Sequence, residues 1–189
     1  MTPAARIAAV IEILSEIQEA AAGGEAAGRQ AGQWLRADLQ RRRYAGSSDR
    51  AAIGDLFWKI QRCQARLSWH LRKAGKAGTP RLLVLAALVL IERCYNGLSQ
   101  LFSDDLAHSP SALSEGEQAL ANILSTAQLN DPDMPPHTRY EWPEWLIDDA
   151  TSGLGELLEA ELKALTDEAP TDIRINPLRQ PDRRTLRDQ

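Results

Sequence analysis

Thr79-Pro80-Arg81-Leu82-Leu83-Val84-Leu85-Ala86-Ala87-Leu88-Val89-Leu90-Ile91-Glu92-Arg93-Cys94 is the stretch whose reading decides the fold. A threonine followed by proline opens a helix. The threonine oxygen can accept from an early helical N–H, and proline at the first helical position lacks only a donor that would have had no partner. Leu82 to Ile91 then runs ten residues without a charge, whereas a membrane-spanning helix needs about 20. A short helix that is apolar almost all round is buried by its neighbours, so this one, to about Cys94, is expected at the centre of a helical domain.

The flanking sequence supplies those neighbours. Ala4 to Ala22 places Ile7, Val10, Ile11, Leu14 and Ile17 at spacings of three and four, with Glu12, Glu16 and Glu19 outside, and Gly23-Gly24 stops the helix. A second helix is expected from about Glu25 to Arg42 with Trp34, Leu35 and Leu39 inward. A third, capped by Ser47 or Ser48 with Asp49 in its first turn, is expected to reach about Lys73. Downstream, helices are predicted near Gly97–Phe102 and over Ser114–Leu124, where Ser114 and Glu117 have capping-box spacing. Asn130 to His137, with three prolines and two aspartates, reads as a linker. Tyr140 to Thr166 reads as two short helices around Gly153 and Gly155, with Trp142, Trp145, Leu146, Leu157, Leu158, Leu162 and Leu165 as apolar contacts and Trp142 and Trp145 anchoring a helix start in the core. Thr171-Asp172-Ile173-Arg174-Ile175 alternates with period two, the one good strand signal, and a last helix is expected from Asp182. The predicted organisation is an all-α bundle over 1–137, bridging helices over 138–169, and over 170–189 the truncated start of an α/β module.

An apolar fraction of 43% and a charged fraction of 25% match an ordinary soluble protein and exclude collagenous, disordered and disulfide-stapled classes. The first 22 residues interleave charges with apolar residues, unlike a secretory leader, so a cytoplasmic chain without a membrane span is expected. Cys63 and Cys94 lack metal-ligand spacing and read as buried free thiols. His70 has no nearby serine, cysteine or carboxylate arranged as a triad, His108 and His137 have no visible partner, and adjacent acids such as Asp104-Asp105 and Asp148-Asp149 point in different directions. No catalytic residue and no metal site is predicted.

The net charge of −4 hides an asymmetry. Residues 1–100 carry 15 Lys and Arg against 8 Asp and Glu, and residues 101–189 carry 7 against 18. Within 29–81 the net charge is +10, a local excess that attracts polyanions. On a continuous third helix Lys59, Arg62, Arg66 and Lys73 fall within about 60° of one another, opposite Ile53, Leu56, Phe57, Ile60, Leu67 and Leu71. Trp58 and Trp69 lie beside that stripe, and rings next to cations suit RNA with unstacked bases. Such a stripe is equally the solvated face of an amphipathic helix. Arg41, Arg42, Arg43 and Tyr44 just before the helix strengthen the nucleic-acid reading, and with Arg50 they complete the candidate RNA-contacting set.

Several stretches together resemble the alphaproteobacterial branch of the Sun/RsmB rRNA cytosine-C5 methyltransferases. They are Thr2-Pro3-Ala4-Ala5-Arg6, Ile11-Glu12-Ile13-Leu14, Arg42-Arg43-Tyr44-Ala45-Gly46-Ser47-Ser48-Asp49-Arg50, Ala65-Arg66-Leu67-Ser68-Trp69, Trp142-Pro143-Glu144-Trp145-Leu146 and Ala169-Pro170-Thr171-Asp172-Ile173-Arg174-Ile175-Asn176-Pro177-Leu178. The resemblance spans nearly the whole chain. It implies a helical domain similar to the antitermination factor NusB, followed by an α/β subdomain and then an S-adenosylmethionine-dependent catalytic domain that lies outside this sequence. Ser48 stands where the family carries lysine. The family's catalytic cysteines follow proline and threonine, whereas Cys63 and Cys94 both follow arginine and carry neither role. No glycine-rich strand-to-helix turn is present to hold S-adenosylmethionine, so no cofactor is expected on this chain. The implied task is to bind and position ribosomal RNA for the absent methyltransferase domain. Two rivals are a free-standing NusB-like antitermination regulator and a helical adaptor whose basic stripe meets an acidic protein.

Overall fold

A computed structural model describes residues 1–24 and 29–166 of the chain. Ten α-helices and short 3₁₀ turns make up their regular structure, with no strand among them. The expected strand at Thr171–Ile175 and the helix from Asp182 lie outside the described residues. No helix among those described is long and apolar enough to cross a membrane.

Helix α1 (Pro3–Ala22) starts where Thr2 Oγ1 accepts from Ala5 N–H at 3.1 Å with Pro3 behind it. Helix α2 (Ala31–Arg41) begins at Gln30, whose N–H donates to the Gln33 side chain, and a turn at 42–46 leads to α3 (Ser47–Arg62). The expected long third helix is in fact two. Cys63 leaves helical geometry (φ −121°, ψ 17°), and α4 (Gln64–Lys73) starts anew. A carboxylate from far along the chain caps the new start: Glu141 accepts from Ala65 N–H at 2.7 Å and Arg66 N–H at 3.0 Å. These are two of the four N–H groups that any helix start leaves without an internal partner.

Helix α5 (Pro80–Leu90) occupies the centre. Thr79 caps it as its sequence requires, every residue from Leu83 to Leu90 is buried, and α1, α3, α4 and α7 surround it. Each fully buried leucine or valine there contributes roughly 1.5–3 kcal/mol. The helix stops at Leu90, four residues short of the expected end, before the short α6 (Leu98–Leu101). Helix α7 (Glu115–Ser125) carries the predicted capping box, and its Glu117 also receives Arg81 of α5 at 2.6 Å, which holds the Glu117 carboxyl below its usual range.

The stretch read as a linker is tied down. Met134 is buried, α8 (Pro136–Arg139) packs on α4, and α9 (Ile147–Leu154) and α10 (Leu158–Thr166) follow. Tyr140 donates to Glu159 of α10 at 2.7 Å, and Leu162 is the buried anchor of that helix. The core role expected for Trp145 is not met. Its ring is 77% exposed, Leu157 and Leu165 are exposed too, and Trp142 is half-buried with its indole N–H unpaired among the described residues. A 3₁₀ turn at Glu144–Leu146 stands where the sequence suggested a helix start, and Trp145 within it faces outward.

Candidate nucleic-acid interface

The predicted cationic stripe does not survive as one solvent face. Breaking the helix at Cys63 turns Arg66 inward, where it is only 8% exposed. Its guanidinium donates to Glu141 at 3.0 Å and to Asn130 Oδ1 at 2.9 Å, so it joins α4 to the segment after α7. Lys73 reaches Asp131 at 3.0 Å and Asp133 at 3.2 Å and lies 4.6 Å from the Trp69 ring centroid. Lys59 bridges Asp55 and Glu92 at 2.8 and 2.9 Å. The hydrogen bonds from these carboxylates raise both lysine pKa values.

The Arg41–Arg43 run divides in the same way. Arg41 donates to Glu16 at 2.6 Å and reaches Asp38 at 3.3 Å. Arg42, whose charge burial opposes, is held protonated by Asp38 at 2.6 Å and by Glu12, which moves its pKa above the ordinary arginine value. Both arginines therefore fasten α2 to α1. Arg50 spends its guanidinium on the carbonyls of Leu39, Arg42 and Ala45, locking the turn between α2 and α3. Asp49 beside it accepts the Met1 ammonium at 3.0 Å, Gly46 N–H and Arg6, and the ammonium contact leads the group that lowers its pKa.

Among the candidate set, Arg43 and Arg62 are exposed and have no acidic partner among the described residues, and Tyr44 is 70% exposed. Sequence reasoning did not single out Arg36, which is exposed on α2 and likewise has no acidic partner among the described residues. Arg36 lies where cations and an exposed indole line one groove. The groove between α2 and α3 has a volume of about 550 Å³ and is lined by Gly32, Leu35, Arg36, Leu39, Gln40, Arg50 and Trp58. No lining residue is acidic. Trp58 is 38% exposed, its ring edge-to-face with Phe57 at 5.3 Å, and Arg62 lies one turn further along the same face of α3. Trp69 sits elsewhere, half-buried against His70 at 5.1 Å, so the two tryptophans do not form the pair that a continuous helix implied.

Gly32 shapes this groove. A β-carbon there would lie 3.4 Å from the Trp58 ring, in full contact with it. Glycine in a helix costs about 1 kcal/mol relative to alanine. The spacing of glycine and arginine at 32 and 36, four apart and so on one face of α2, was the sequence signal that could have drawn attention to it.

The remaining titratable groups do not assemble a reaction centre. His70 is buried, its Nε2 3.2 Å from the Leu129 carbonyl, and burial lowers its pKa while Asp131 opposes and Lys73 assists that shift. Cys63 is half-buried at the helix break, and desolvation raises its thiol pKa. Cys94 is half-buried after α5, so neither thiol lies fully in the core as expected. No group of three or more histidine, cysteine, aspartate or glutamate side chains among the described residues is placed to hold a metal.

The His70 shift has a measurable consequence. Because the unfolded histidine binds a proton near pH 6.5 and the folded one only at lower pH, the folded state loses stability as pH falls below about 6.5. The slope for one proton is at most about 1.4 kcal/mol per pH unit. Urea melts between pH 7.5 and 5 should show that decline, and His70→Gln should remove most of it. A wild-type stability that is flat across this window contradicts the assignment.

No family model, curated protein or solved structure matches the chain.

Proposed function

We propose that this chain is the RNA-binding, RNA-positioning region of an S-adenosylmethionine-dependent rRNA cytosine-C5 methyltransferase. The observation that carries RNA binding is the α2–α3 groove, where Trp58 stands exposed with Arg36 and Arg50 on the walls and no acid among the lining residues. Cations without carboxylate partners can release counterions from phosphates, and an exposed indole can take a base. Ion-paired Lys59, Arg66 and Lys73 must first give up internal partners and are poorer donors to RNA.

The methyltransferase assignment rests on the resemblance of the ordered motifs from Thr2 to Leu178, and an all-helical fold for the described residues agrees in class with a NusB-like bundle. In such an enzyme a thiolate adds to C6 of cytosine, C5 takes the methyl group and a second cysteine assists release. This chain contributes affinity and orientation, while cofactor and catalytic cysteines belong to the downstream domain. Fluorescence anisotropy with a labelled ribosomal RNA hairpin tests the RNA reading. Saturable binding that weakens as salt rises is expected, and no binding even at low salt contradicts it. A coding sequence that continues into Pro-Cys and Thr-Cys motifs with a glycine-rich strand-to-helix turn is the expected context. A frame without them returns the chain to the antitermination-regulator reading.

A further inference from the structure

We infer that the α2–α3 groove is a site for one unpaired nucleobase, stacked on Trp58 with the flanking phosphates on Arg36 and Arg62. This deepens the RNA-binding reading and rests on it. The groove has the chemistry of a base site rather than of a backbone track. Its interior is apolar, from Leu35, Leu39 and the indole, which suits a base lifted out of its stack and offers nothing to a duplex exterior made of phosphates. Arg36 and Arg50 supply positive charge at the walls, and Gln40 supplies an amide able to donate to and accept from a base edge.

Arg50 cannot swing out to follow a ligand, because three backbone carbonyls hold its guanidinium. It is a fixed charge at the turn end of the groove, while Arg36 and Arg62 are exposed and free of acidic partners among the described residues. Across the groove, bare Gly32 lets α2 lie against the Trp58 ring edge and leaves part of the ring open. A side chain at that position would lean on the indole and narrow the slot. An aromatic wall, two exposed cations, one fixed cation and an amide, with no lining acid, select an anionic ligand with a flat ring. An unpaired nucleotide is that ligand.

The test compares two RNAs of equal length with the full chain, a hairpin carrying 2-aminopurine at an unpaired loop position and a fully paired duplex carrying it inside. Wild-type protein is expected to quench the loop fluorophore and to prefer the hairpin. Trp58→Leu, which keeps apolar volume against Phe57, should weaken hairpin binding by at least about fivefold, the lower end for losing one stacked base, and abolish the quenching. Trp58→Phe should retain most of both, and circular dichroism should show unchanged helix content in each. Equal affinity of Trp58→Leu and wild type for the hairpin, or equal losses on hairpin and duplex, overturns the base site while salt-dependent wild-type binding leaves the RNA reading standing. Failure of the wild type to bind either RNA removes both.

Discussion

Replacing Glu141 by alanine is expected to destabilise the fold by about 3–5 kcal/mol, the range found when one partner of a buried ion pair is removed and the other is left uncompensated. Glu141 accepts three hydrogen bonds, two from the first turn of α4 and one from Arg66, and both side chains are largely buried. The melting temperature should fall by roughly 6–20 °C, at about 2–4 °C per kcal/mol for a chain of this size. Arg66→Met should cost less, since Glu141 keeps its two N–H donors, and the double variant should recover part of the loss. Thermal unfolding followed by circular dichroism reads all three. A Glu141→Ala loss below 1 kcal/mol would contradict the role of this carboxylate as the cap of α4.

The triple variant Arg36→Gln, Arg43→Gln, Arg62→Gln is expected to bind ribosomal RNA roughly thirty- to a hundredfold more weakly at physiological salt, from three phosphate contacts at the usual single-strand slope of about 0.7 each. All three residues are exposed and lack acidic partners among the described residues, so the melting temperature should hardly change. Lys59→Gln with Lys73→Gln should have a much smaller effect on binding. Each lysine already bridges two carboxylates, so the pair of changes should lower affinity little.

Local signals in the sequence were reliable where the physics is local. Thr79-Pro80 and Ser114 with Glu117 place helix starts because a cap needs only its own first turn, and Leu82 to Ile91 had to be buried whatever surrounded it. The break at Cys63 was not legible, since neither proline nor glycine marks it and the carboxylate that stabilises the new helix start lies 76 residues away from Ala65. That one break decides the fate of Arg66, and with it the supposed stripe.

The charge asymmetry admitted two readings, and the structure adds the one that sequence periodicity cannot see. A basic first half followed by an acidic second half attracts polyanions, but it also neutralises itself when the chain folds back. Glu117, Asp131, Asp133 and Glu141 receive Arg81, Lys73 and Arg66 in this way. Arg36 escaped notice because it stands alone five residues before the run of arginines on the same helix, and its significance depends on which helix Trp58 faces. Trp145 was misplaced for the opposite reason: large aromatic residues are usually core, and only the turn at Glu144–Leu146 shows this one pointing outward.

The most direct measurement is the salt dependence of hairpin RNA binding for the wild type, the triple arginine variant and the Lys59/Lys73 variant, by fluorescence anisotropy over a series of salt concentrations. An interface built on unpaired cations around the α2–α3 groove predicts that the triple variant flattens the slope of log affinity against log salt by about two units, while the lysine variant changes it by less than about one. A triple variant that keeps the wild-type slope, or a lysine variant that flattens it as much as the arginine one, would contradict that interface.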